Sequence, residues 1–396
     1  MSAAALVLFL LGLMGLGFLV GRQRALMASG GTPSKLHSLP AYYGSYVALM
    51  TGLPALMVLL AGLVLDTLMA RPVLSGFCIA FSVLGLLLSA LRVSAGFRAR
   101  NVVEGFVRVV LVAASLVAIL TTAGIIFSLL FESLHFFRLY PASEFFFSTT
   151  WAPKFGGGSE LGILPLLWGT LYVSAIALLV AVPVGLMAAI YLSEYAGPRL
   201  RAVAKPALEV LAGIPSIVYG LFALLTVGPF LRDWFAAPLG LGESSSSVMT
   251  AGLVMGVMLI PYVSSLSDDI INAVPQSLRD GSYGLGATQS ETIRQVVFPA
   301  ALPGIVGAVL MAASRAIGET MIVVLGAGAA AKLDLNPFEA MTTVTVKIVS
   351  QLTGDTEFAS PETLVAFALG LTLFVFTLGL NILALAIVRK YREQYE

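Results

Sequence analysis

The side chains of this sequence best suited to chemistry are one cation and one anion inside an otherwise apolar run. Arg315 and Glu319 both lie in the stretch 301–325, where a charge at the centre of a bilayer costs about 2.5–3.5 kcal/mol on insertion scales. Because they are four residues apart, a continuous helix would place them on one face, where they can pair. The arginine presents a planar fork of donors that suits an oxyanion.

Two interpretations of this pair remain open. In the first, the two charges form a structural ion pair that holds their helix to its neighbours. In the second, they line a transport path, where Glu319 offsets the positive charge of Arg315 so that a passing anion is not trapped. Two unneeded charges should not survive in so apolar a chain, so the pair is predicted to have one of these two roles, and the second is favoured only by the family resemblance given below.

The composition is that of a membrane protein. The 396 residues are 58% apolar and 11% charged, with a mean hydropathy of +0.97, whereas soluble chains are about 45–50% apolar and about 25% charged. The 22 basic and 21 acidic residues nearly balance, so bulk charge indicates no nucleic-acid partner. His37, His135 and Cys78 are too scattered to suggest a metal site, and none is predicted.

About nine apolar runs are long enough to cross a bilayer as helices, which predicts an all-α, multi-pass protein in contact with lipid. Soluble buried helices are excluded because the runs are apolar on all faces. The runs are 2–20, 46–65, 73–91, 106–131, 161–191, 206–231, 248–266, 301–325 and 362–388.

The positions of Lys and Arg predict the orientation, because cytoplasmic connections are enriched in them. Fifteen lie in one alternate set of connections, six lie in the other, and Arg315 lies within a run. The richer set is assigned to the cytoplasm, which places the N-terminus outside and the C-terminus inside.

No basic residue precedes the first run, and Arg22 and Arg24 follow it, so this run is predicted to be a retained anchor and not a cleaved signal peptide.

The chain is predicted to divide near residue 100. Residues 1–100 hold three runs and suggest no chemistry, whereas residues 101–396 hold six runs and the distinctive local sequence. An aromatic-rich outside connection, 132–160, has two interpretations: an interfacial belt, which is favoured, or a docking surface.

The pattern G-x-x-x-x-G-K-[ST], which binds nucleotide phosphates, is missing from the sequence. Any ATPase that drives the chain would therefore be another polypeptide.

The inside connection 267–300 is predicted to contain a helical hairpin. Pro275 can begin its first helix, Thr288 and Glu291 form a capping-box pattern that opens the second, and Pro299 is predicted to end it. Such a hairpin, anchored to a span on each side, is suited to act as a lever for an ATPase.

Another irregular stretch surrounds Pro215, which lacks a backbone donor. Gly213, Ser216, Tyr219 and Gly220 cluster around it, and broken helices in membranes face protein or a cavity. A packing kink and a polar lining or gate are both compatible with this pattern. The nearby charged residues, Glu194, Arg199 and Arg201, are predicted to lie on a solvated cytoplasmic surface, with an ATPase contact as the alternative.

The string DGSYGLGATQSETIRQVVFPAALPGI resembles the coupling loop of ABC-importer permeases. Asp280, Gly286 and Pro299 match its spacing of acid, glycine and proline, while Asp280-Gly281-Ser282 stands where the family has Glu-Ala-Ala. Val296 and Phe298 also depart from its Ile and Leu. The resemblance implies a set of ATPase-coupling residues: Asp280, Gly281, Ser282, Gly286, Ala287 and Thr288.

Three further strings, YLSEYAGPRLR, LAGIPSIVYGLFAL and SRAIGETMIVVL, resemble the phosphate-specific (Pst) permeases, and LNPFEAMTTVTVKIV is closer to their C-type subunit. The resemblance covers residues 100–396. It implies a type I ABC-importer fold with a six-helix core, here with about three extra N-terminal helices, and a substrate path. That path is formed by Arg315, Glu319, Thr320, Ser216 and Tyr219.

The resemblance also implies a non-catalytic permease subunit in a bacterial inner membrane. Its partners would be a homologous PstA-type permease, two PstB-type ATPase subunits and a periplasmic PstS-type phosphate-binding protein. ATP and Mg would bind to the ATPase, and this chain would hold no cofactor. A permease for sulfate or molybdate is an alternative, whereas an ion-coupled carrier is disfavoured because no repeated halves are evident. A sensing subunit is a further alternative that nothing in the sequence supports.

Overall fold

The computed structural model describes residues 3–64, 71–154, 158–354 and 360–392. It divides into two compact units, residues 1–124 and 125–396, and each unit is described here by itself. The predicted division near residue 100 stays a prediction.

The first unit consists of long helices and one short 3₁₀ turn at Pro33–Lys35. Helices α1 and α2 pack closely, since a Cβ at Gly44 would lie 2.7 Å from the Phe18 carbonyl oxygen and one at Gly21 would lie 2.6 Å from the Tyr43 carbonyl oxygen. The fourth helix continues into the second unit. The bounds are α1 Ala3–Ala28, α2 Pro40–Val64, α3 Arg71–Arg92 and α4 Ala99–Leu139.

The second unit contains the remaining helices and one two-residue antiparallel strand pair, in which Trp151 lies opposite Leu161. Its elements are α5 Ala142–Phe147, β1 Trp151–Ala152, β2 Glu160–Leu161, α6 Leu164–Ile190, α7 Pro198–Ala212, α8 Ser216–Phe222, α9 Gly228–Leu231, α10 Val248–Asn272, α11 Gln276–Gly284, α12 Gln289–Thr292, α13 Phe298–Ile317, α14 Met321–Gly326, α15 Val344–Gly354 and α16 Pro361–Arg392.

Four π-helical turns join or extend these helices, at Tyr191–Tyr195, Ala223–Val227, Arg232–Ala236 and Ile293–Val297. A π turn carries one residue more than the α-helix that it interrupts, and such turns are frequent at functional sites. Here they extend α6, link α8 to α9, extend α9 and link α12 to α13.

Nine helices among the described residues are long and apolar enough to cross a membrane. They match the nine predicted runs one for one, so the predicted multi-pass helical architecture is confirmed. Hydropathy identified these helices because a helix that crosses a bilayer needs about 20 consecutive apolar residues. A helix of a soluble protein does not need so long an apolar stretch.

Helix α10 is the most buried of these spans and forms the centre of the second unit. Gly252 and Gly256, one turn apart, let it approach α6: a Cβ on them would lie 2.7 Å from Ile176 and 2.8 Å from Val180. Small residues at this spacing allow close helix packing where lipid offers no hydrophobic driving force.

The predicted span 206–231 is wrong at its beginning. Helix α7 ends at Ala212, Gly213 and Pro215 interrupt the backbone, and the span runs from Ser216 to Ala236. Residues 206–212 belong instead to an amphipathic helix that packs on α10. The predicted kink at Pro215 is a full break, because proline supplies no N–H to continue the helix.

Several aromatic residues of the connection 132–160 form a core. Phe136 and Phe145 are fully buried and Trp151 nearly so, and they pack with residues of α16 such as Leu364 and Leu369. A belt of exposed rings is therefore the wrong interpretation for these side chains. Phe147, by contrast, is 78% exposed.

Candidate functional site

The helix that carries Arg315 ends before Glu319. Helix α13 stops at Ile317 with Gly318 as its C-cap, and α14 begins at Met321, so the prediction of one continuous helix over 301–325 is wrong. The two charges do not share a helix face, and no salt bridge joins them within the part of the chain that the structure describes. The signal in the sequence was Gly318, a residue of low helix propensity.

Arg315 lies exposed on the surface of this single chain. Its guanidinium carbon is 5.5 Å from the centroid of the Tyr262 ring on α10, an arrangement in which the ring face attracts a cation. Its neighbours Ala312 and Ala316 are buried in the core of the second unit. Helix α13 therefore packs through its alanines and turns its cation away from the core.

Glu319 and Thr320 form the short break between α13 and α14. The Glu319 carboxylate accepts a hydrogen bond from the Met321 N–H at 3.1 Å, which satisfies one of the free donors at the start of α14. The Glu319 carbonyl accepts a hydrogen bond from the Thr345 hydroxyl at 2.9 Å. The break is thus held by hydrogen bonds on both sides.

Ser216 and Tyr219 lie in α8, which packs on α14. A Cβ at Gly220 would be 2.9 Å from the Met321 carbonyl oxygen, so α8 passes directly beside the residues that follow Glu319 and Thr320. The Tyr219 hydroxyl is not free to line a path in this conformation, because it donates to the Leu211 carbonyl at 2.9 Å. Ser216 is the first residue of α8 and is partly exposed.

The second candidate region is the hairpin around α11. The predicted start after Pro275 and the capping box are both confirmed, since the Thr288 side chain accepts from the Glu291 N–H and the Glu291 carboxylate accepts from the Thr288 N–H. The Ser282 and Thr292 hydroxyls are hydrogen-bonded at 2.9 Å, which ties α11 to α12.

The tip of the hairpin depends on Gly286. This residue has φ +87°, and the Ala287 N–H donates to the Ser282 carbonyl at 3.2 Å, the Schellman arrangement that ends a helix. Beside it, Leu285 is 91% exposed, and a Cβ at Gly281 would meet nothing within 4 Å. The tip therefore presents an apolar side chain among small residues. Asp280 is exposed and accepts from the Gln276 amide at 3.1 Å.

Pro299 does not end the second helix of the hairpin, contrary to the prediction. One span runs from Gln289 to Ile317, with the π turn Ile293–Val297 immediately before the proline. The wider backbone of that turn relieves the clash that proline makes with the carbonyl four residues earlier. The hairpin is therefore directly continuous with the helix that carries Arg315.

Sequence reasoning missed the ion pair that anchors α11. The Arg279 guanidinium is buried, bonds the Glu194 carboxylate at 2.9 Å, and donates to the Val274 and Ile271 carbonyls at 2.6 and 2.8 Å. The Gln289 amide adds a hydrogen bond to the Glu194 carbonyl at 2.6 Å. The end of α6 is thus joined to both helices of the hairpin.

A second missed cluster joins α7 to α10. Asp268 is buried and binds Arg201 at 2.9 Å and Lys205 at 2.8 Å. The hydrogen bond with Asp268 raises the pKa of Lys205. A solvated surface is therefore the wrong interpretation for Glu194, whose side chain is 9% exposed, whereas the Arg201 side chain is 32% exposed and Arg199 is exposed. No sequence signal pairs residues so far apart; the available hint was two acids, Asp268 and Asp269, at the end of an apolar span.

The described residues contain no group of three or more His, Cys, Asp or Glu side chains that could hold a metal ion. The structure instead places a cation, Arg315, on one membrane-spanning helix and a polar hairpin at the N-terminal end of that same helix. These features define a multi-pass membrane protein whose polar hairpin is directly continuous with a charged span.

The family profile described as "Binding-protein-dependent transport system inner membrane component" matches residues 181–393. A second profile, described as "Phosphate ATP-binding cassette transporter", matches residues 6–81. The chain belongs to the family of binding-protein-dependent transport system inner membrane components. It is a multi-pass permease subunit of an ABC transporter, which works with an ATPase and a substrate-binding protein, and the predicted fold class is confirmed.

Several curated relatives are similar to this chain in sequence. The chain is 34% identical over 272 residues to the probable ABC transporter permease protein YqgH of Bacillus subtilis, covering 68% of this chain and 86% of YqgH. It is 33% identical over 296 residues to the phosphate transport system permease protein PstC of Mesorhizobium japonicum, covering 70% and 86%. The predicted resemblance to phosphate-specific permeases is confirmed by these relatives.

Among solved structures, the chain is similar to a chain of a bacterial alginate ABC transporter, with a TM-score of 0.45, 15% identity and coverage of 71% of this chain and 92% of that one. A chain of the MetNI methionine ABC transporter gives a TM-score of 0.42 at 18% identity, covering 57% and 93%.

Proposed function

We propose that this chain is the PstC-type permease subunit of an ATP-driven importer of inorganic phosphate. Several relatives carry the name phosphate transport system permease protein PstC, and the profile over residues 6–81 describes a phosphate transporter. The observation that carries the proposal is Arg315, an exposed guanidinium in a membrane span that has no carboxylate partner among the described residues.

The chemistry of Arg315 fits a tetrahedral oxyanion. Its donors form a planar fork that bonds phosphate oxygens in pairs, and Tyr262 stabilises the cation without neutralising it. Glu319, at the break after α13, places negative charge near the path, which keeps the anion from binding too tightly to leave. Thr320, Ser216 and Tyr219 line the same region, with Tyr219 released from the Leu211 carbonyl when the helices move.

This chain forms one half of the path, and a homologous PstA-type permease supplies the other half against the exposed face of α13. Outside the membrane, a PstS-type phosphate-binding protein delivers the substrate. The N-terminus lies in the periplasm and the C-terminus in the cytoplasm, as the distribution of Lys and Arg predicts. The membrane is the bacterial inner membrane.

Two PstB-type ATPase subunits bind ATP and Mg and drive transport through α11, while this chain binds no cofactor and catalyses no reaction. Leu285 at the hairpin tip enters a groove of the ATPase, flanked by the coupling residues Asp280, Gly281, Ser282, Gly286, Ala287 and Thr288. Because α12 runs directly into α13, a displacement of the hairpin moves the helix that carries Arg315.

The test is phosphate uptake by cells that carry Arg315→Gln, with assembly of the complex checked by co-purification. A charged hydrogen bond contributes about 1.5–3 kcal/mol, so uptake should fall by roughly tenfold or more while assembly stays normal. Arg294→Gln, an exposed arginine on the inner side, is the matched control and should retain uptake.

Undiminished phosphate uptake by a normally assembled Arg315→Gln complex would remove the path role from this residue. Sulfate and molybdate uptake, measured in the same cells, tests the substrate. If wild-type cells take up one of these anions through this complex in preference to phosphate, the phosphate assignment is wrong.

A further inference from the structure

At one end of the first unit, the α1–α2 and α3–α4 connections fold against each other. The His37 N–H donates to the Ala95 carbonyl at 3.1 Å, and the Tyr43 hydroxyl donates to the carbonyls of Ala95 and Phe97 at 3.2 and 2.9 Å. The Phe97 ring packs on Tyr46, with centroids 4.7 Å apart. The two connections are therefore one ordered surface and not two independent loops.

This surface is strongly basic. It carries a set of side chains that we call the basic platform, all exposed: Arg22, Arg24, Lys35, Arg92, Arg98, Arg100 and Arg108. Residues 1–124 contain only two acids, Asp66 and Glu104. Asp66 lies outside the described residues, and Glu104 bonds Arg100 at 2.6 Å.

Six members of the basic platform make no salt bridge with any described residue. On the inner side of the second unit, by contrast, Arg201, Lys205 and Arg279 are bound to buried acids. The platform's charge is therefore not used to hold the fold together. It remains available to an external partner.

The surroundings of the platform indicate which partner it fits. Large apolar side chains stand exposed beside the cations: Met27 is 75% exposed, Leu39 69% and Leu91 66%. Cations with flanking apolar side chains suit a membrane interface, where apolar groups enter the acyl boundary and Lys and Arg meet headgroups. A soluble anion would satisfy the charges but would leave these apolar side chains in water.

We propose that the basic platform binds the anionic phospholipid headgroups of the cytoplasmic leaflet, with each lipid phosphate held by Arg and Lys side chains from both connections. The positive-inside distribution requires only that basic residues lie on this side. The platform goes further, because its residues come from two connections that are bonded to each other and from the adjoining helices, with Glu104 as the one acid among the described residues of this unit. This role is independent of phosphate transport and gives the N-terminal extension an activity of its own.

The test is a titration of the purified full chain, in neutral detergent, with short-chain phosphatidylglycerol. Binding is measured by microscale thermophoresis, and phosphatidylcholine of equal chain length serves as the neutral probe. Each basic residue near the surface contributes about fivefold to anionic-lipid binding. The triple variant Arg22→Gln/Arg24→Gln/Arg98→Gln should therefore weaken phosphatidylglycerol binding by about tenfold or more, and higher salt should weaken wild-type binding.

The matched control is Arg199→Gln/Arg294→Gln/Arg389→Gln, which removes three exposed basic residues of the second unit and the same net charge. It should bind phosphatidylglycerol like the wild type, and so should the charge-conserving triple variant Arg22→Lys/Arg24→Lys/Arg98→Lys. Equal loss in the matched control would show a response to net charge alone and would overturn the proposal. Displacement of the lipid by inorganic phosphate, against a chloride control of equal ionic strength, would also overturn it in favour of a free-anion site.

Discussion

The two units use basic residues in opposite ways. In the second unit, Arg279 is buried and bound to Glu194, and Asp268 binds two cations at once. In the first unit, the basic platform is exposed and contains one salt bridge among its described residues, Arg100–Glu104. The same residue type thus anchors helices in the second unit and is left exposed in the first.

The difference follows from burial. A buried charge is tolerated only with a partner and satisfied hydrogen bonds, so Arg279 comes with a carboxylate and two carbonyls. An exposed arginine is already solvated and gains little from a partner in the same chain. The second unit should therefore depend on the ion pairs of Arg279 and Asp268 for its stability, whereas the first unit should fold without its basic residues.

The largest effect is expected from Arg279→Ala. This change leaves the Glu194 carboxylate, with a side chain only 9% exposed, buried and without its cation. The free energy of unfolding should fall by about 3–5 kcal/mol, measured by denaturant unfolding of the full chain in detergent. Arg294→Ala, in the same hairpin but exposed, should change it by less than about 0.5 kcal/mol; equal effects of the two would contradict the anchoring role.

A smaller effect is expected from Asp268→Asn. Although two cations lose their acid, the Arg201 and Lys205 side chains are 32% and 33% exposed and regain water when released. The expected loss of stability is about 1–2 kcal/mol, measured by the same unfolding experiment. If the free energy of unfolding fell as much as for Arg279→Ala, the burial of the charged group that loses its partner would not determine the loss of stability.

Two glycine turns allow the comparison to be sharpened. Gly286 at the hairpin tip and Gly31 after α1 have φ of +87° and +77°, and a Cβ on either would meet nothing within 4 Å. Alanine at either position should cost about 1–2 kcal/mol through backbone strain alone. In the assembled transporter, only Gly286→Ala should reduce the phosphate transported per ATP hydrolysed; an equal reduction by Gly31→Ala would contradict the lever role of the hairpin.

The smallest effect is expected from Arg24→Gln. This exposed residue makes no salt bridge with the described part of the chain, so stability in detergent should change by less than about 0.5 kcal/mol. Thermal unfolding of the full chain measures it. A clear loss would show that the first unit also needs its basic residues to fold, which would remove the contrast between the two units.

The fold was largely predictable because its dominant signal is local. Apolar runs of membrane-spanning length stand out in sequence, and the capping box of Thr288 and Glu291 needs only four residues to be recognised. The predicted helix bounds were wrong where the backbone breaks within an apolar run. Gly213 with Pro215, and Gly318, interrupt stretches that remain apolar on both sides, so averaged hydropathy passes over them.

The candidate site was less predictable because its contacts join distant segments. Arg279 and Glu194 are 85 residues apart, and a single sequence contains no signal of their pairing. Arg315 could be identified from the sequence because a charged side chain within a membrane-spanning run is energetically costly, and this requires only the residue type and its position to be known. Its expected pairing with Glu319 assumed an unbroken helix, and the backbone at Gly318 decided otherwise.

The π turn at Ile293–Val297 also holds the rotational phase of the helix that follows it. Each residue of an α-helix advances the chain by about 100°, and a π turn accommodates one extra residue without passing that rotation on to the residues beyond it. If this turn were rewound as regular α-helix with all its residues kept, everything beyond it would rotate by that angle, and Arg315 would point to a different neighbour. The azimuth of this arginine thus depends on one turn keeping its wider winding.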